Sequence, residues 1–232
     1  MRKIGVLLSG CGVYDGTEIQ EAVFTLLEID QHGAEAICFA PNKDQHDVIN
    51  HLNGKAILQQ RNILIESARI SRGVIQPLEK MRTDDFDALI IPGGFGAAKN
   101  LNQWAINGPK GEIDDYVKRI IIETNKAKKP ILGLCMGPTV ISQALKDEIK
   151  PELTVGPDQD PSPYDIKAIS DGMTSLGTKV QMKTIDEVHI DKAHKIISAP
   201  CYMMEGSISQ VYKNTGLAID ELFNLLDNNE PV

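Results

Sequence analysis

Short apolar runs alternate with segments of helical periodicity along most of this 232-residue chain. Several of the apolar runs have the length of buried strands, at residues 4–8, 34–39, 88–91 and 130–134. The intervening segments place apolar residues at helical spacing, at residues 17–32, 44–53, 62–69, 114–127 and 139–147. Strands that alternate with helices build a parallel sheet between two helical layers. We therefore predict an α/β fold with a mostly parallel sheet and helices on both faces, as a single domain over residues 1–232.

The last third of the chain departs from this alternation. Residues 155–165 are rich in proline and aspartate and predict a loop. Residues 187–190 and 195–199 predict the two strands of a hairpin, and residues 205–226 predict a helical region with a break near Gly216. Ligands of parallel sheets bind at the carboxyl ends of the strands, so we expect the functional residues to follow the predicted strands.

The stretch GLCMGP, from Gly133 to Pro138, joins a predicted strand to a predicted helix. Cysteine stands between two glycines in the G-x-nucleophile-x-G spacing of a strand–turn–helix elbow. Such an elbow strains its central residue and points that side chain into a cleft over the helix N-terminus, which favours a thiolate. Cys135 is thus the candidate nucleophile. The alternative is a buried structural cysteine beside two packing glycines.

Two more glycine-rich segments follow predicted strands, SGCGVYDGTE from Ser9 and PGGFGAAKN from Pro92. Neither completes the G-x-G-x-x-G spacing and the chain has no G-K-S/T, which disfavours nucleotide binding. Backbone N–H groups in such loops can stabilise an oxyanion. We expect the amides of Gly94 and Met136 to do so beside the Cys135 sulfur.

A thiol nucleophile needs a proton partner, and the residues leave several open. None of the five histidines lies in the H-x-E arrangement of glutamine-hydrolysing triads, although His189 and His194 remain possible partners. Glu18 and Glu21 stand three residues apart at the start of the first predicted helix, on one face. One of them is expected to cap the helix. The other can face an apolar cleft, where burial raises a carboxyl pKa.

The remaining cysteines and the composition narrow the functional classes. Cys11 is a rival nucleophile on a glycine-flanked loop, Cys38 alternates within a strand as a core residue, and Cys201 stands near a strand end. No spacing matches a metal site, so we expect no metal and no cofactor. The net charge of −8 argues against a nucleic-acid partner.

The cellular location is also a prediction from the sequence. The apolar run at residues 4–8 is shorter than the ~7–15 residues of a signal sequence, and no run approaches the ~18 residues of a membrane span. Free thiols without a CxxC pattern are typical of a reducing compartment. These features predict a cytoplasmic protein that does not bind a membrane.

Four segments carry a resemblance to a known family: IGVLLSGCGVYDGTEIQEA, CFAPNKDQHDVINHL, RNILIESARISRG and LIIPGGFGAAKNL. They resemble the ElbB-type glyoxalase family, in the PfpI-like branch of the class I glutamine amidotransferase-like superfamily. The resemblance implies a flavodoxin-like three-layer sandwich and a cofactor-independent glyoxalase or protein deglycase activity. It gives Cys135 the nucleophile's role, Glu21 that of the superfamily glutamate, and Glu18 the less critical position one turn earlier. Met136 stands where many peptidase-like members have histidine, which argues against peptidase activity.

These inferences combine into one expected reaction. Cys135 adds to glyoxal or methylglyoxal, Glu21 moves protons between carbon and oxygen, and water releases the 2-hydroxy acid. The expected partners are a small 2-oxoaldehyde and, in a homodimer, a second copy of the chain. Two other functional classes stay open: a redox-sensing or chaperone-like partner protein, and an amidotransferase-like subunit of a metabolic complex.

Overall fold

The computed structural model describes residues 1–227. Its strands within that range are β1 Lys3–Leu7, β2 Glu35–Ala40, β3 Ile49–Asn50, β4 Lys55–Ala56, β5 Gln76–Pro77, β6 Ala88–Ile91, β7 Ile131–Leu134, β8 Glu152–Leu153, β9 Lys179–Val180, β10 His189–Asp191 and β11 Ile196–Ala199. Its α-helices are α1 Ile19–Gln31, α2 Ile63–Ile70, α3 Trp104–Asn107, α4 Asp115–Lys126, α5 Gly137–Leu145, α6 Ile166–Ser175 and α7 Ile208–Asp227.

A seven-stranded sheet forms the centre of the fold, in the order β10-β11-β7-β6-β1-β2-β5. All neighbouring pairs are parallel except β10 and β11, which form the antiparallel edge. The chain builds outward from β1 through β2 to β5, and then starts again at β6 and builds in the other direction. The point at which the order reverses therefore lies between β1 and β6, where ligands of such sheets bind.

Helices cover both faces of this sheet, as predicted. Helices α1 and α7 pack against each other, and α7 also packs against β11 and β7. Helices α4 and α5 pack against each other as well, and both contact β7, while α4 also contacts β6. Strands β6, β7 and β11 are buried along their whole length because apolar side chains point into both layers. The structure is the predicted flavodoxin-like α/β three-layer sandwich.

Two local predictions are wrong, and one helix was not predicted. Residues 44–53 do not form a helix. They lead into the β3–β4 hairpin, because backbone pairing with residues 57 and 61 replaces helical hydrogen bonds. Helix α6 follows the proline-rich loop at a place for which no helix was predicted. Helix α7 runs through Gly216 without a break, since its packing against α1 outweighs the roughly 1 kcal/mol helix penalty of one glycine.

Candidate functional site

Cys135 occupies a strained elbow between β7 and α5. Its φ of 55° lies in the left-handed region that side chains other than glycine rarely adopt, and its N–H donates to the Ala199 carbonyl at 3.0 Å. A Cβ on Gly137 would lie 2.4 Å from the Ile91 carbonyl oxygen, and one on Gly133 would lie 2.8 Å from Ile141 Cδ1. Both flanking glycines are therefore required for the turn, and the predicted elbow is confirmed.

Glu21, on the first turn of α1, meets the sulfur of Cys135. Its side chain is completely buried and accepts hydrogen bonds from the N–H groups of Gly93 at 3.0 Å and Tyr202 at 3.2 Å. The Cys135 thiol lies beside the same carboxyl group, because a Cβ on Gly93 would lie 2.7 Å from both Cys135 Sγ and Glu21 Oε2. Burial, and then the nearby charge of Glu18, raises the pKa of Glu21 to about 8. The structure thus brings a thiol and a proton-holding carboxyl group together at the reversal point of the sheet.

Glu18 is the N-cap of α1. Its Oε2 accepts a hydrogen bond from the Glu21 N–H at 2.7 Å, which satisfies one of the free donors at the helix start. Burial raises the pKa of Glu18 as well, although its hydrogen bonds to backbone N–H groups oppose that shift. The expected division between the two carboxylates is therefore present: Glu18 caps the helix, and Glu21 faces the thiol.

Gly93 and Gly94 allow the loop after β6 to approach the thiol. A Cβ on Gly93 would lie 2.3 Å from Cys135 Cβ, and one on Gly94 would lie 2.4 Å from the Glu18 backbone nitrogen. Gly94 also has a φ of +92°, which favours glycine. Its N–H donates to the Cys135 sulfur, so one of the two expected oxyanion donors points at the reactive atom.

The protonation of Cys135 differs from the sequence-based expectation. Burial raises the pKa of this thiol well above its usual value, and the charge of Glu21 raises it further. The Gly94 N–H lowers the pKa, but by less than burial raises it. The prediction that the helix N-terminus favours a thiolate is wrong, because loss of water outweighs the helix dipole here. The resting group is therefore a thiol beside Glu21.

Two other predicted site residues, Met136 and Cys11, differ in their surroundings. Met136 is buried beside Cys135 at the start of α5. Cys11 is half-buried, and the charges that act on its thiol are those of Glu66 and Arg69 on α2 and of Asp15. Burial raises the pKa of Cys11. The rival nucleophile therefore stands in a different charged environment from the Cys135–Glu21 pair.

The two histidines left open as proton partners lie beside other carboxyl groups, away from Cys135. His189 Nε2 lies 3.4 Å from Glu152, and His194 Nδ1 lies 2.8 Å from Asp191. Both contacts belong to the region around the β10–β11 hairpin. The acid that contacts the Cys135 sulfur is Glu21.

Sequence reasoning gave little weight to two residues of the site. Cys201, just after β11, is completely buried and has a φ of 46°, and its N–H donates to the Asn214 side chain at 2.9 Å. Tyr164 lies at the end of the proline-rich loop, and its pKa is raised by burial and by the charges of Cys135 and Glu21. The position of Cys201 after a predicted strand and Pro200 is the sequence feature that could have marked it as a residue of the site. Nothing local in the sequence marked Tyr164.

An open groove of about 570 Å³ lies next to the thiol site. Its lining consists of three aromatic residues, three other residues of low polarity and one lysine: Tyr14, Phe95, Tyr164, Ile49, Gly54, Pro163 and Lys99. Phe95 follows Gly94 directly, and its ring meets that of Tyr164 edge-on with 5.8 Å between the ring centroids. The groove therefore begins one residue from the amide that points at Cys135.

Across residues 1–227, no group of three or more His, Cys, Asp or Glu side chains is arranged to hold a metal ion. Within the same range, every helix is too short or too polar to cross a bilayer.

Two curated relatives resemble nearly the whole chain. The rat protein named ES1 protein homolog, mitochondrial, is 37% identical over 96% of this chain and 84% of its own length. The human protein named glutamine amidotransferase-like class 1 domain-containing protein 3, mitochondrial, is 37% identical over 96% of this chain and 83% of its own length. Both names place those proteins in mitochondria. The prediction of a cytoplasmic protein is therefore wrong.

Solved structures share the fold as well. The isoprenoid biosynthesis protein with an amidotransferase-like domain from Ehrlichia chaffeensis has a TM-score of 0.89 and 35% identity, over 97% of this chain and 100% of that one. The ThiJ/PfpI domain protein from Brachyspira murdochii shares the fold alone, with a TM-score of 0.55 and 13% identity over 96% of both chains. The family model for glutamine amidotransferase class-I matches residues 53–230. The chain belongs to the class I glutamine amidotransferase family.

Proposed function

We propose that this chain is a cofactor-independent glyoxalase that converts glyoxal, and also methylglyoxal, to the 2-hydroxy acid. The observation that carries the proposal is the placement of the Cys135 thiol beside the buried carboxyl group of Glu21, since a Cβ on Gly93 would lie 2.7 Å from both Cys135 Sγ and Glu21 Oε2. A pKa of about 8 lets Glu21 both donate and accept a proton near neutral pH, as a proton shuttle must. Neither step of the reaction requires a metal or an organic cofactor.

In the first step, the Cys135 sulfur attacks the aldehyde carbon. A C–S bond forms, the carbonyl π electrons move to oxygen, and Glu21 transfers the thiol proton to that oxygen to give a hemithioacetal. The Gly94 N–H already points at the sulfur, and the Met136 amide follows Cys135 in the elbow. We assign these two amides the task of stabilising the negative charge on oxygen.

In the second step, Glu21 removes the proton from the carbon of the hemithioacetal and returns it to the neighbouring carbonyl carbon through an enediol. The product is a thioester of Cys135, which water hydrolyses to the 2-hydroxy acid and the free thiol. The oxidation of one carbon is balanced by the reduction of the other. Water is therefore the only co-reactant.

An amidotransferase-like function would require a histidine beside the nucleophile. His189 and His194 are instead paired with Glu152 and Asp191. A redox-sensing function would use the same cysteine, but it would consume one equivalent of oxidant without turnover. Steady-state turnover separates that class from the proposed one.

The test is steady-state turnover of a panel of 2-oxoaldehydes and glycated peptides by protein dialysed against a chelator. We expect 2-hydroxy acid to form over many turnovers, and Cys135→Ala to abolish it. Cys38→Ala is the matched control, because Cys38 is also buried but lies in the core of β2. Full activity of Cys135→Ala, or recovery of activity only after metal or nucleotide is added, would contradict the proposal. The panel also distinguishes free from protein-bound aldehydes.

A further inference from the structure

We propose that the site takes 2-oxoaldehydes with a flat aromatic substituent, which lies in the groove walled by Tyr14, Phe95 and Tyr164. The inference rests on the proposed function, because it concerns the substrate of the same thiol. The reaction is also the same, with protons transferred within the substrate and water as the only co-reactant.

The groove lies near the thiol site, since Gly93 packs against Cys135 and Phe95, two residues further along the chain, lines the groove. The Gly94 N–H donates to the Cys135 sulfur, and the next residue, Phe95, lines the groove. The ring of Phe95 contacts that of Tyr164 at an interplanar angle of 71°. Tyr164 in turn lies close enough to Cys135 and Glu21 for their charges to act on its hydroxyl group. The substituent of an aldehyde bonded to the sulfur would therefore lie against the open sides of these rings, along the lining of the groove.

The volume of the groove exceeds what glyoxal requires. At about 570 Å³ it falls within the roughly 300–1,000 Å³ of pockets that hold larger organic ligands. Glyoxal would leave most of this space to water. A substituent that fills the groove adds binding energy remote from the reacting carbon, and such energy can be used to position that carbon.

The charges in the groove favour a neutral substituent. The single lysine of the lining, Lys99, has its ammonium group 2.7 Å from Asp47 Oδ2 and 3.2 Å from the Tyr14 carbonyl oxygen. Its positive charge is therefore compensated within the protein, and an acidic substituent would find little attraction there. The rings of Tyr14, Phe95 and Tyr164 offer edges and faces that pair with another flat ring.

The test compares kcat/KM for phenylglyoxal with kcat/KM for glyoxal, both from initial rates. We expect the wild type to prefer phenylglyoxal by about tenfold, which corresponds to the contribution of one aromatic contact. Tyr14→Ala should lose about tenfold in kcat/KM for phenylglyoxal, and Tyr14→Phe should retain it. Tyr116→Ala is the matched control, because Tyr116 is an exposed tyrosine on α4, outside the lining of the groove.

Failure of this inference can be distinguished from failure of the proposed function. Turnover of glyoxal without a preference for phenylglyoxal, or equal losses on both substrates in Tyr14→Ala, would overturn the inference and leave the proposed function standing. If neither aldehyde is turned over, the proposed function fails. Saturation-transfer NMR with acetophenone, which has the ring but no aldehyde, then tests the groove. A signal that weakens in Tyr14→Ala supports the groove as an aromatic site, and no signal in the wild type overturns it.

Discussion

The carboxyl group of Glu21 is removed from water on all sides, but it does not lack partners. Two backbone N–H groups, of Gly93 and Tyr202, donate to it, and the Cys135 thiol lies beside it. These hydrogen bonds favour the charged form, but burial and the charge of Glu18 outweigh them and raise the pKa to about 8. At the scale of single residues, the balance between desolvation and hydrogen bonding sets the chemistry of the site.

The proton shuttle can be tested by removing only the exchangeable proton. Glu21→Gln keeps the shape of the side chain, and we expect it to lower kcat by about 10²–10⁴ because general acid–base catalysis is lost. Glu18→Gln should lower stability by at most about 1 kcal/mol through the weakened cap and should leave turnover largely intact. Steady-state kinetics and urea denaturation measure the two effects. Loss of turnover in Glu18→Gln with an active, folded Glu21→Gln would exchange the two roles.

The raised pKa of Glu21 also predicts a pH dependence of stability. Between its ordinary value of 4.5 and about 8, the folded state holds a proton that the unfolded state has released. The free energy of unfolding therefore falls as the pH rises through this window. Glu21→Gln cannot titrate, so the stability of the wild type relative to this variant should fall from pH 4.5 towards pH 8. Unfolding curves at both ends of the window measure this difference, and parallel profiles would contradict it.

At the scale of secondary-structure elements, glycines have opposite effects in α5 and α7. Gly137 begins α5, and a Cβ there would press against the Ile91 carbonyl oxygen at 2.4 Å. Gly216 lies within α7, where a Cβ would meet Glu28 Oε1 at 3.4 Å, an ordinary van der Waals contact. The first glycine is needed for the close approach of helix and strand. The second only weakens its helix.

This contrast predicts two alanine variants of opposite sign. Gly216→Ala should raise the free energy of unfolding by about 0.5–1 kcal/mol, because alanine has the higher helix propensity. Gly137→Ala should lower it by about 1–3 kcal/mol, because the elbow has no room for a methyl group. Urea denaturation of both variants is the measurement. Stabilisation by Gly137→Ala would show that the elbow tolerates a side chain at that position.

At the scale of the whole molecule, helix α1 exposes a row of apolar side chains to water. Ile19, Val23 and Leu27 recur every four residues along α1, and each is between 42% and 46% exposed. Residues at this spacing form one stripe on a helix. In a symmetric dimer, a second copy presents the same stripe to the first. This stripe supports the prediction of a homodimer.

Sedimentation velocity tests that prediction. We expect a mass of twice 25.5 kDa for the wild type and a shift towards the monomer in Val23→Glu, which places a charge in the stripe. Val74→Glu is the matched control, because Val74 is also exposed but follows α2. A wild type that sediments as a monomer at every concentration would contradict the prediction.

The sequence by itself determined the layers of the fold and the elbow. Strand β6 spans residues 88–91 as predicted. Strand β7 begins one residue later than predicted, and helix α4 is shorter than predicted by one residue at each end. These features follow from local periodicity, since apolar spacing reports which faces of an element are buried. Likewise, the glycines around Cys135 signal a turn whose geometry depends on neighbours in sequence.

Only the tertiary structure decided which groups meet and how they titrate. Residue spacing left both Glu18 and Glu21 as candidates for the carboxyl group that faces the thiol. The N–H groups that bind Glu21 belong to Gly93, 72 residues away in sequence, and to Tyr202, 181 residues away. The pairing in the β3–β4 hairpin overrode the helical spacing of residues 44–53. Burial of Cys135 likewise overrode the effect of the helix N-terminus on its thiol. For Glu21 and Cys135 the deciding energy is a desolvation or a hydrogen bond to a distant segment, and for the hairpin it is backbone pairing, none of which the helical spacing of side chains encodes.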